Sequence, residues 1–397
     1  MASLLSPDPA ALIEAVAATG HRLVLSASGG GSAAIAQLAT TPGASDILLE
    51  AMVPTARAAV DGLLGGPQES YCSSRTARRL AVAAWKRARE LAEAAGVAPD
   101  EAARQAVGAA VTAGLKTRQP KRGEHRVIVA VQTLAVTRLA EVTLAKEARS
   151  RAQEEAIAAS LALSEIAAAC GVPSAAAEPA LGPGDRIQRD CEEAPEAWQD
   201  LFAGTRTAVA AAGNGSDSSA TPVEGGLIFP GSFDPLHEGH LLMARIAEEI
   251  AERPLAYELS IRNVAKPTLD YLEIRNRVGQ FADRPLWLTQ AATFLEKLAV
   301  FPKSTFVLGA DTYARLPDPR YYGGSAAAAT RAVKAIAARA RGLIVFGRAA
   351  DGVFHDASSI DVPQALKAVT YFVSQREFRL DISSTELRRQ SRVGSEA

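Results

Sequence analysis

Short apolar runs alternate with longer stretches of helical periodicity along most of this chain. In the first 212 residues, Arg22–Ser26 and Arg126–Gln132 are rich in aliphatic and β-branched residues and predict buried strands. Ser32–Leu38, Ser74–Ala95 and Val142–Cys170 instead carry apolar residues at helical spacing and predict helices. This alternation is typical of an α/β fold.

The second part of the chain shows the same alternation. Its predicted elements are the strands Leu227–Phe229, Ala256–Ile261, Thr305–Leu308 and Leu343–Phe346 and the helix His237–Glu252. We therefore expect an α/β protein of two domains, each a mostly parallel sheet with helices on both faces. In such sheets, ligands bind at the carboxyl ends of the strands.

One segment between the two parts has no hydrophobic periodicity. Ala212–Gly226 reads AGNGSDSSATPVEGG, and a composition this rich in Gly, Ser and Asn is typical of a flexible linker. We predict a first domain at residues 1–212, a linker at 213–224 and a second domain at 225–397.

The composition narrows the class of protein. Of 397 residues, 48% are hydrophobic and 22% are charged, which is typical of a globular chain and not of a disordered one. The 43 basic residues nearly balance the 44 acidic ones, which argues against nucleic-acid binding through overall charge. Three scattered cysteines are too few for a disulfide framework or a cysteine-based zinc site, and we expect no metal held by the protein alone. The chain has no secretory signature and no apolar run near ~20 residues, so we expect a cytoplasmic protein outside the membrane.

The strongest chemical signal is the run LIFPGSFDPLHEGH, which ends at His240. A strand ends at Phe229, a turn follows, and a helix begins near His237. His237 and His240 are three residues apart, so both project from the first helical turn, where free amides and the helix dipole attract anions. Two imidazoles at that position suit a polyphosphate whose charge rises during group transfer. An isolated pair with this spacing would also fit helix capping, whereas zinc-binding helices space their histidines at i, i+4.

This stretch resembles the H-x-G-H motif of the nucleotidylyltransferase superfamily, whose members join a nucleotide to a phosphorylated acceptor. The resemblance implies a Rossmann-like second domain in which His237 and His240 are catalytic. It also implies that the turn and the glycine between the histidines bind the ATP phosphates. Those phosphate-binding residues are Gly231, Ser232, Phe233, Asp234 and Gly239.

A second motif lies near the C-terminus. Asp381–Arg388 reads DISSTELR and resembles the I-S-S-T-x-[IL]-R motif of the same superfamily, which opens a helix and binds the ATP phosphates. Ser383, Ser384 and Thr385 can cap a helix and present hydroxyls and amides to phosphate. Arg388 falls one turn later on the same face, where its guanidinium can assist catalysis. Taken alone, the segment would equally be an ordinary capping box.

Smaller segments between the two motifs supply further candidates. Lys266 follows the second strand and could reach the transferred phosphate, although a solvated lysine fits equally. Trp287–Leu298 and Leu308–Leu316 resemble the T-x-x-T-L and G-x-D segments of nicotinate and nicotinamide mononucleotide adenylyltransferases. The resemblance implies an acceptor site in which Trp287 stacks on a pyridine ring, if it is not simply a core residue. The candidate acceptor-binding residues are Asn263, Trp287, Thr289, Asp311 and Arg348.

Three departures from the family pattern concern the acceptor. The first motif begins Pro230-Gly231-Ser232 where the nicotinate enzymes have Gly-Gly-Thr. Asn263–Pro267 replaces their P-H-K, and Gly347-Arg348-Ala349 replaces their R-P-G. Phosphopantetheine adenylyltransferases share the first and last motifs, so phosphopantetheine stays an alternative acceptor.

The first domain carries a glycine-rich turn between a strand and a helix. Ser26–Ser32 reads SASGGGS, which can cradle a phosphate, expose a nucleophilic serine or simply make a tight turn. Its context resembles the C-terminal domain of the competence-damage-inducible CinA family, known as nicotinamide-nucleotide amidohydrolases. The family's S-x-T-G-G is here Ser26-Ala27-Ser28-Gly29-Gly30, and its P-G-S-S is Pro42-Gly43-Ala44-Ser45.

The third CinA motif, Y-S-N-x-x-K, is altered. Thr55-Ala56-Arg57 stands where Tyr-Ser-Asn is expected, and Val60 replaces the lysine. Amide hydrolysis needs a nucleophile, a proton acceptor and an oxyanion site. Ser26 and the glycines supply the first and third, but Arg57 stays protonated and cannot act as a base. The predicted pocket consists of Ser26, Ser28, Gly29, Gly30, Arg57 and Lys121.

These motifs together predict an adenylyltransferase that transfers AMP from ATP, with Mg²⁺, to nicotinamide or nicotinate mononucleotide and releases pyrophosphate. Such a protein would act in NAD biosynthesis, and we expect it to form a homo-oligomer. Two alternatives concern the first domain, which could deamidate a nicotinamide nucleotide, or could be a non-catalytic nucleotide sensor or oligomerisation scaffold.

Overall fold

The computed structural model describes residues 9–174, 178–211, 217–218, 221–264, 267–282, 284–350, 353–355 and 357–374. The chain divides into two compact units. The first comprises Met1–Gln199 together with Ala265–Glu273, and the second comprises Asp200–Val264 and Ile274–Ala397. No helix in the described part of the chain combines the length and the apolar character that crossing a bilayer demands.

A six-stranded mixed sheet forms the centre of the first unit. Its strands are β1 (Arg22–Ser28), β2 (Leu48–Met52), β3 (Ala106–Gly114), β4 (His125–Gln132), β5 (Val136–Leu144) and β6 (Arg186–Glu193). Their order is β2-β1-β3-β4-β5-β6. The pairs of β1 with β2 and β3 are parallel, as predicted, but β3 to β6 pair antiparallel. The prediction of a mostly parallel sheet was therefore wrong for this half. The loops from β3 to β4 and from β4 to β5 are too short for a crossover helix, and β6 pairs antiparallel although a long helix precedes it.

Helices cover both faces of this sheet, as predicted. They are α1 (Pro9–Ala17), α2 (Ser32–Thr40), α3 (Arg57–Leu64), α4 (Ser74–Ala94), α5 (Pro99–Gln105) and α6 (Arg151–Ala169). The apolar side chains of α1, α2 and α6 form one core with residues such as Leu25, Val111 and Val129. Those of α3 and α4 form the other core with Ala110 and Ile128 on the opposite face.

The predicted helix Val142–Cys170 was wrong in its first third. Val142–Leu144 belongs to β5, and α6 begins only after Ser150. Ser150 caps the helix, because its hydroxyl accepts a hydrogen bond from the amide of Gln153 and the Gln153 side chain bonds back to the amide of Ser150. This capping box is the local signal that separates the strand from the helix.

An eight-stranded sheet forms the centre of the second unit. Its strands are β7 (Ala208–Ala211), β8 (Asp217–Ser218), β9 (Leu227–Pro230), β10 (Leu255–Ser260), β11 (Leu286–Thr289), β12 (Thr305–Gly309), β13 (Gly342–Phe346) and β16 (Thr370–Val373). Their order is β16-β13-β12-β9-β10-β11-β7-β8, and β14 (Arg348–Ala350) and β15 (Val353–His355) form a separate hairpin. The six strands from β16 to β11 are parallel, as predicted. Counted from β9, they have the strand order of a doubly wound, Rossmann-like sheet.

The remaining helices are α7 (Glu196–Ala203), α8 (Glu238–Ala251), α9 (Tyr271–Val278), α10 (Phe294–Val300), α11 (Ala310–Arg315), α12 (Ala326–Arg339) and α13 (Gln364–Lys367). Strand β7 pairs antiparallel with β11. The second compact unit therefore already begins at Asp200, before the predicted linker 213–224, whose limits stay a prediction.

A short segment that follows β10 in sequence is part of the first unit. Asp270 accepts two hydrogen bonds from the Arg78 guanidinium, at 2.6 and 2.8 Å. Tyr271 is fully buried, and its hydroxyl donates to the carbonyl of Leu134 at 2.6 Å. Its amide donates to the Thr137 hydroxyl at 3.0 Å. These buried polar contacts tie the start of α9 to α4 and to the β4–β5 hairpin.

Candidate active site

The two histidines of the H-x-G-H motif lie at the switch point of the second sheet. β9 ends at Pro230 and β12 is its neighbour, so the chain after each strand lies at the same carboxyl edge. In a doubly wound sheet the crevice for a ligand opens where the strand order reverses, which here is between β9 and β12. His237 is the N-cap residue of α8, and His240 lies in the first turn, as predicted.

The two imidazoles stack on each other. Their ring centroids are 3.8 Å apart and their planes meet at 28°. The backbone amide of His237 donates to Nδ1 of His240 at 3.3 Å, so the neutral His240 ring carries its proton on Nε2. Capping, the alternative function considered for these histidines, is thus one role of His240, and it leaves Nε2–H as a donor.

Gly239 makes this close stacking possible. A Cβ atom at residue 239 would lie 3.0 Å from both Cε1 and Nδ1 of His237, which is tighter than nearly all real contacts. A larger residue between the histidines would push the His237 ring away. The glycine of the motif is therefore required by the packing of the rings themselves.

An aromatic cluster packs against the buried side of the turn. Phe233 is buried, and its ring centroid lies 5.1 Å from the His240 ring and 5.2 Å from Phe281. A Cβ atom on Gly231 would lie 2.4 Å from the Phe233 ring, so only glycine fits there. Gly231 and Phe233 thus shape the turn, while Ser232 and Asp234 lie nearer its surface.

Burial lowers the pKa of both histidines. The pKa of His240 falls to about 3, mainly because burial disfavours the charged ring and secondarily because His237 lies beside it. Burial also lowers the pKa of His237. In the ligand-free protein at pH 7 both imidazoles are therefore neutral hydrogen-bonding groups.

Two residues that the sequence analysis did not single out hold this turn. Arg277 of α9 is nearly fully buried, and its guanidinium donates to the carbonyl of Ser232 at 2.7 Å. Gln280, two residues beyond α9, accepts a hydrogen bond from the amide of Leu236 at 2.8 Å. The sequence offers only their polar character as a signal for these two residues. Their contact with the motif becomes apparent only when the fold is known.

Two of the predicted acceptor-binding residues lie at the carboxyl edge of the sheet. Asp311 is exposed in the first turn of α11, directly after β12. Asn263 is exposed after the end of β10. Their strands flank β9 on its two sides, so both residues follow strands that border the histidine turn.

Two other predicted acceptor residues lie on β11, one half-buried and one fully buried. Trp287 packs against the core on the α10 side, with its ring 6.1 Å from Phe301. Thr289 is fully buried, and its hydroxyl donates to the Glu258 carboxylate at 2.5 Å. Lys297 completes this buried group with contacts of 2.7 and 2.8 Å to the same carboxylate. The prediction of a ligand contact for Thr289 was therefore wrong, since its side chain is fully buried and bonded inside the fold. Trp287 is only half-buried, and its contact with an acceptor stays a prediction.

Several predicted residues lie outside the described residues. These are Lys266, Ser383, Ser384, Thr385 and Arg388. Arg348 begins β14, where its backbone pairs with His355.

The glycine turn of the first unit is tightly built. Gly29 has a φ of 78°, and a Cβ atom there would lie 2.1 Å from the carbonyl oxygen of Ala113. Ser28 donates from its hydroxyl to the carbonyl of Pro54 at 2.9 Å. Ser26 is only 1% exposed, and its hydroxyl has no hydrogen-bond partner among the described residues. The predicted nucleophile thus lies inside the unit.

A carboxylate already caps the helix that follows these glycines. Oε1 of Glu155 accepts hydrogen bonds from the Ser32 hydroxyl at 3.0 Å and from the amide of Ala33 at 3.1 Å. These are the groups at the start of α2 that a phosphate would use. Gly30 packs close to the same carboxylate, since a Cβ atom on it would lie 3.2 Å from Glu155 Oε2.

The two cations predicted for this pocket have partners of their own. The guanidinium of Arg57 lies over the Tyr71 ring, 5.3 Å from its centroid. Lys121 donates from Nζ to the carbonyl of Gly114, and burial lowers its pKa. Within the described residues, no group of three or more His, Cys, Asp or Glu side chains could hold a metal ion.

Comparison with known families bears on the second unit. The family model described as cytidylyltransferase-like matches residues 228–390, so this part of the chain is similar to that family. This similarity confirms the predicted resemblance to the nucleotidylyltransferase superfamily and supports nucleotidyl transfer as the general reaction of the cytidylyltransferase-like domain.

The similar solved structures correspond to the N-terminal part. A competence-damaged protein (CinA) superfamily protein from Escherichia coli is 18% identical, covers 42% of this chain and 91% of its own, and has a TM-score of 0.33. One from Enterobacter cloacae is 18% identical, with coverage of 43% and 98% and a TM-score of 0.34. A competence/damage inducible protein from Agrobacterium tumefaciens is 17% identical, with coverage of 43% and 96% and a TM-score of 0.30. No curated protein matches the chain.

Proposed function

We propose that the cytidylyltransferase-like domain is an adenylyltransferase that transfers AMP from ATP to nicotinamide or nicotinate mononucleotide. The observation that carries this proposal is the stacked pair of His237 and His240 in the first turn of α8, at the switch point of the sheet. Free amides at a helix start and two imidazoles form a site suited to a triphosphate. The second motif, Asp381–Arg388, adds a further phosphate-binding sequence.

The reaction needs no covalent enzyme intermediate. A phosphate oxygen of the acceptor attacks the α-phosphorus of ATP, the bond to the bridging oxygen of the β-phosphate breaks, and pyrophosphate leaves with the electron pair. The protein's contribution is positioning and stabilisation of the charge that develops. Mg²⁺ accompanies ATP as its complex and is bound mainly through phosphate oxygens.

The histidines contribute first as neutral donors. Because His240 accepts at Nδ1, its Nε2–H is the group that donates to a phosphate oxygen. A bound triphosphate places negative charge beside both rings and raises their pKa values. His240 stays a neutral donor, because its Nδ1 accepts from the amide of His237 and cannot carry a second proton. Lys266 and Arg388 supply positive charge in this proposal.

The acceptor is proposed from the motifs and from two exposed residues. Asp311 and Asn263 follow the strands on either side of β9 and can bond a ribose or a ring amide. Thr289 is fully buried and is no part of this proposal, whereas stacking of a pyridine ring on the half-buried Trp287 stays a prediction. Phosphopantetheine stays the alternative acceptor.

A substrate panel tests the proposal. The protein is incubated with Mg²⁺, with either ATP or CTP, and with each of nicotinamide mononucleotide, nicotinate mononucleotide and phosphopantetheine, and pyrophosphate is followed. We expect release with ATP and a pyridine mononucleotide. Release only with CTP, or only with phosphopantetheine, would replace the nucleotide or the acceptor in the proposal.

For the first unit we propose a non-catalytic role, either as a nucleotide sensor or as an oligomerisation scaffold. The buried, unpartnered Ser26 hydroxyl and the Glu155 carboxylate at the start of α2 both favour this role over amide hydrolysis. We expect no ammonia from nicotinamide mononucleotide. Ammonia release that disappears in Ser26→Ala would instead establish the amidohydrolase alternative.

The expected homo-oligomer remains a proposal as well, and light scattering of the full chain tests it. A mass equal to a single chain at all concentrations would remove the scaffold version of the first unit's role.

A further inference from the structure

We propose that Arg277 and Gln280 are positioning residues that hold the histidine pair in its reactive arrangement. The proposal rests on the proposed nucleotidyl transfer and adds residues that lie outside both sequence motifs. Both residues belong to the second unit and bond to the turn between β9 and α8. Arg277 and Gln280 bond to the backbone of the turn. The geometry of the turn therefore depends on these two residues and not only on the turn's own side chains.

Arg277 holds the first half of the turn. One guanidinium nitrogen donates to the carbonyl of Ser232 at 2.7 Å, and another lies 3.7 Å from the Asp234 carboxylate. The Arg277 side chain is 8% exposed and the Asp234 side chain 30% exposed. An ion pair on the buried side of a turn restrains the turn more than an ion pair in water does, because the buried charges are poorly screened.

Gln280 holds the second half. Its carbonyl oxygen accepts from the amide of Leu236 at 2.8 Å, and its amide donates to the carbonyl of Phe233 at 3.2 Å. The two bonds together span Phe233 to Leu236, the residues that lead directly into the helix cap at His237. A single side chain thus fixes the distance between two backbone groups three residues apart.

Phe233 lies in the part of the turn that Arg277 and Gln280 hold, and its backbone conformation needs to be stabilised by neighbouring groups. It has a φ of 43°, a left-handed conformation that residues with a side chain rarely adopt. Conformations of this kind persist only where the surroundings enforce them. In this conformation the Phe233 ring lies edge-on to the His240 ring, 5.1 Å away. Without the hydrogen bonds from Arg277 and Gln280, we expect Phe233 to relax to another conformation, and His240 then loses the aromatic ring against which it packs.

Loss of these hydrogen bonds would affect catalysis by displacing the histidine rings. A displacement of about 1 Å at reacting groups can cost on the order of 100-fold in rate. The positioning residues act through the backbone of the turn, so their loss should lower kcat more than it raises the KM for ATP. A purely structural role would lower the melting temperature and leave the kcat of the folded fraction unchanged.

Gln280→Ala is the decisive variant, with Asn276→Ala as its matched control. Gln280 is half-buried and Asn276 is exposed one turn earlier, so neither substitution removes core packing. Arg277→Met and Arg277→Lys form a second pair, because lysine keeps the positive charge beside Asp234 but offers no fork of donors. We expect kcat to fall on the order of 10- to 100-fold in Gln280→Ala and Arg277→Met, to recover partly in Arg277→Lys and to stay at the wild-type value in Asn276→Ala.

A second readout does not depend on turnover. The chain has only five histidines, so imidazole nitrogen and proton signals can be assigned by nuclear magnetic resonance with His237→Asn and His240→Asn. We expect the signals of His237 and His240 to move in Gln280→Ala, with those of His21 and His125 in the first unit as unchanged references.

Unmoved His237 and His240 signals in Gln280→Ala would overturn the proposal, and so would an unchanged kcat. A wild-type protein that transfers no nucleotide to any acceptor would refute the proposed function instead, and the imidazole signals would still decide whether these residues position the pair.

Discussion

Acidification should destabilise the second unit through His240. The folded protein holds the pKa of His240 at about 3, whereas the unfolded chain has an ordinary histidine pKa of about 6.5. The unfolded state therefore binds a proton on this ring that the folded state does not bind. Stability linked to His240 is complete above about pH 6.5 and is lost as the pH falls toward 3.

The size of the effect follows from these two pKa values. At pH 5 the ring is almost fully protonated in the unfolded chain and almost fully neutral in the folded one. The linkage relation then gives a loss of about 2 kcal/mol in the free energy of unfolding between pH 7 and pH 5. Other groups also titrate in this range, so the effect of His240 must be isolated by comparison with a variant.

Amide hydrogen exchange of β9 and β12 in wild type and in His240→Asn provides that comparison. Exchange at these central strands reports the opening free energy of the second unit without assuming that the whole chain unfolds in one step. The change from pH 7 to pH 5, corrected for intrinsic exchange rates, should be about 2 kcal/mol larger in wild type than in His240→Asn. Equal changes in the two proteins would show that His240 is not a buried neutral ring, and the account of the site would lose its electrostatic basis.

Three further predictions concern buried polar groups, each measured as the free energy of unfolding of the unit concerned. Arg78→Ala leaves the buried Asp270 carboxylate without its main partner and should cost about 3–5 kcal/mol in the first unit; a cost below about 1 kcal/mol would contradict the buried pair. Lys297→Met does the same to Glu258 and should cost about 3–5 kcal/mol in the second unit, whereas unchanged stability would contradict the buried Glu258–Lys297 pair. Ser26→Ala removes a buried hydroxyl without a partner and should leave stability equal or raise it by about 1 kcal/mol, and a clear loss would reveal a bonded hydroxyl.

Local signals in the sequence were sufficient for four strands of the second unit and for the helix that carries the histidines. The apolar runs of β9, β10, β12 and β13 are short and flanked by helical patterns, and parallel pairing of such strands follows from their spacing. In the first unit the same reasoning missed the antiparallel half of the sheet. A strand that enters a short hairpin and one that enters a crossover helix share the same hydrophobic pattern. Loop length alone does not settle the pairing either, because β5 and β6 are antiparallel although α6 lies between them.

The candidate site was predictable where its chemistry is local. His237, Gly239 and His240 form one helical turn, so their spacing already places the rings together. Thr289 shows the opposite case, because partners from distant parts of the chain surround it. Strand β11 would be the edge of the six parallel strands, but β7 from a distant part of the chain pairs with it and makes it an interior strand.

The same reasoning explains why two site residues were missed. Arg277 reaches the histidine turn from α9, and Gln280 reaches it from just beyond that helix. Thr289 likewise finds its partner in a Glu258–Lys297 pair contributed by β10 and α10. Such contacts join residues about 30 to 45 positions apart in sequence. The spacing of residues along the sequence does not indicate such contacts when the fold is unknown.

Pyrophosphate release by wild type and by the double variant His237→Asn/His240→Asn is the most direct test of the central claim. Removal of donors that stabilise developing charge costs about 100- to 1,000-fold each in well-studied sites. With ATP, Mg²⁺ and a pyridine mononucleotide, we predict turnover by the wild type and a loss of at least about 1,000-fold in the double variant, with retained folding by circular dichroism. Equal turnover by the two proteins would contradict a catalytic role for the stacked histidines.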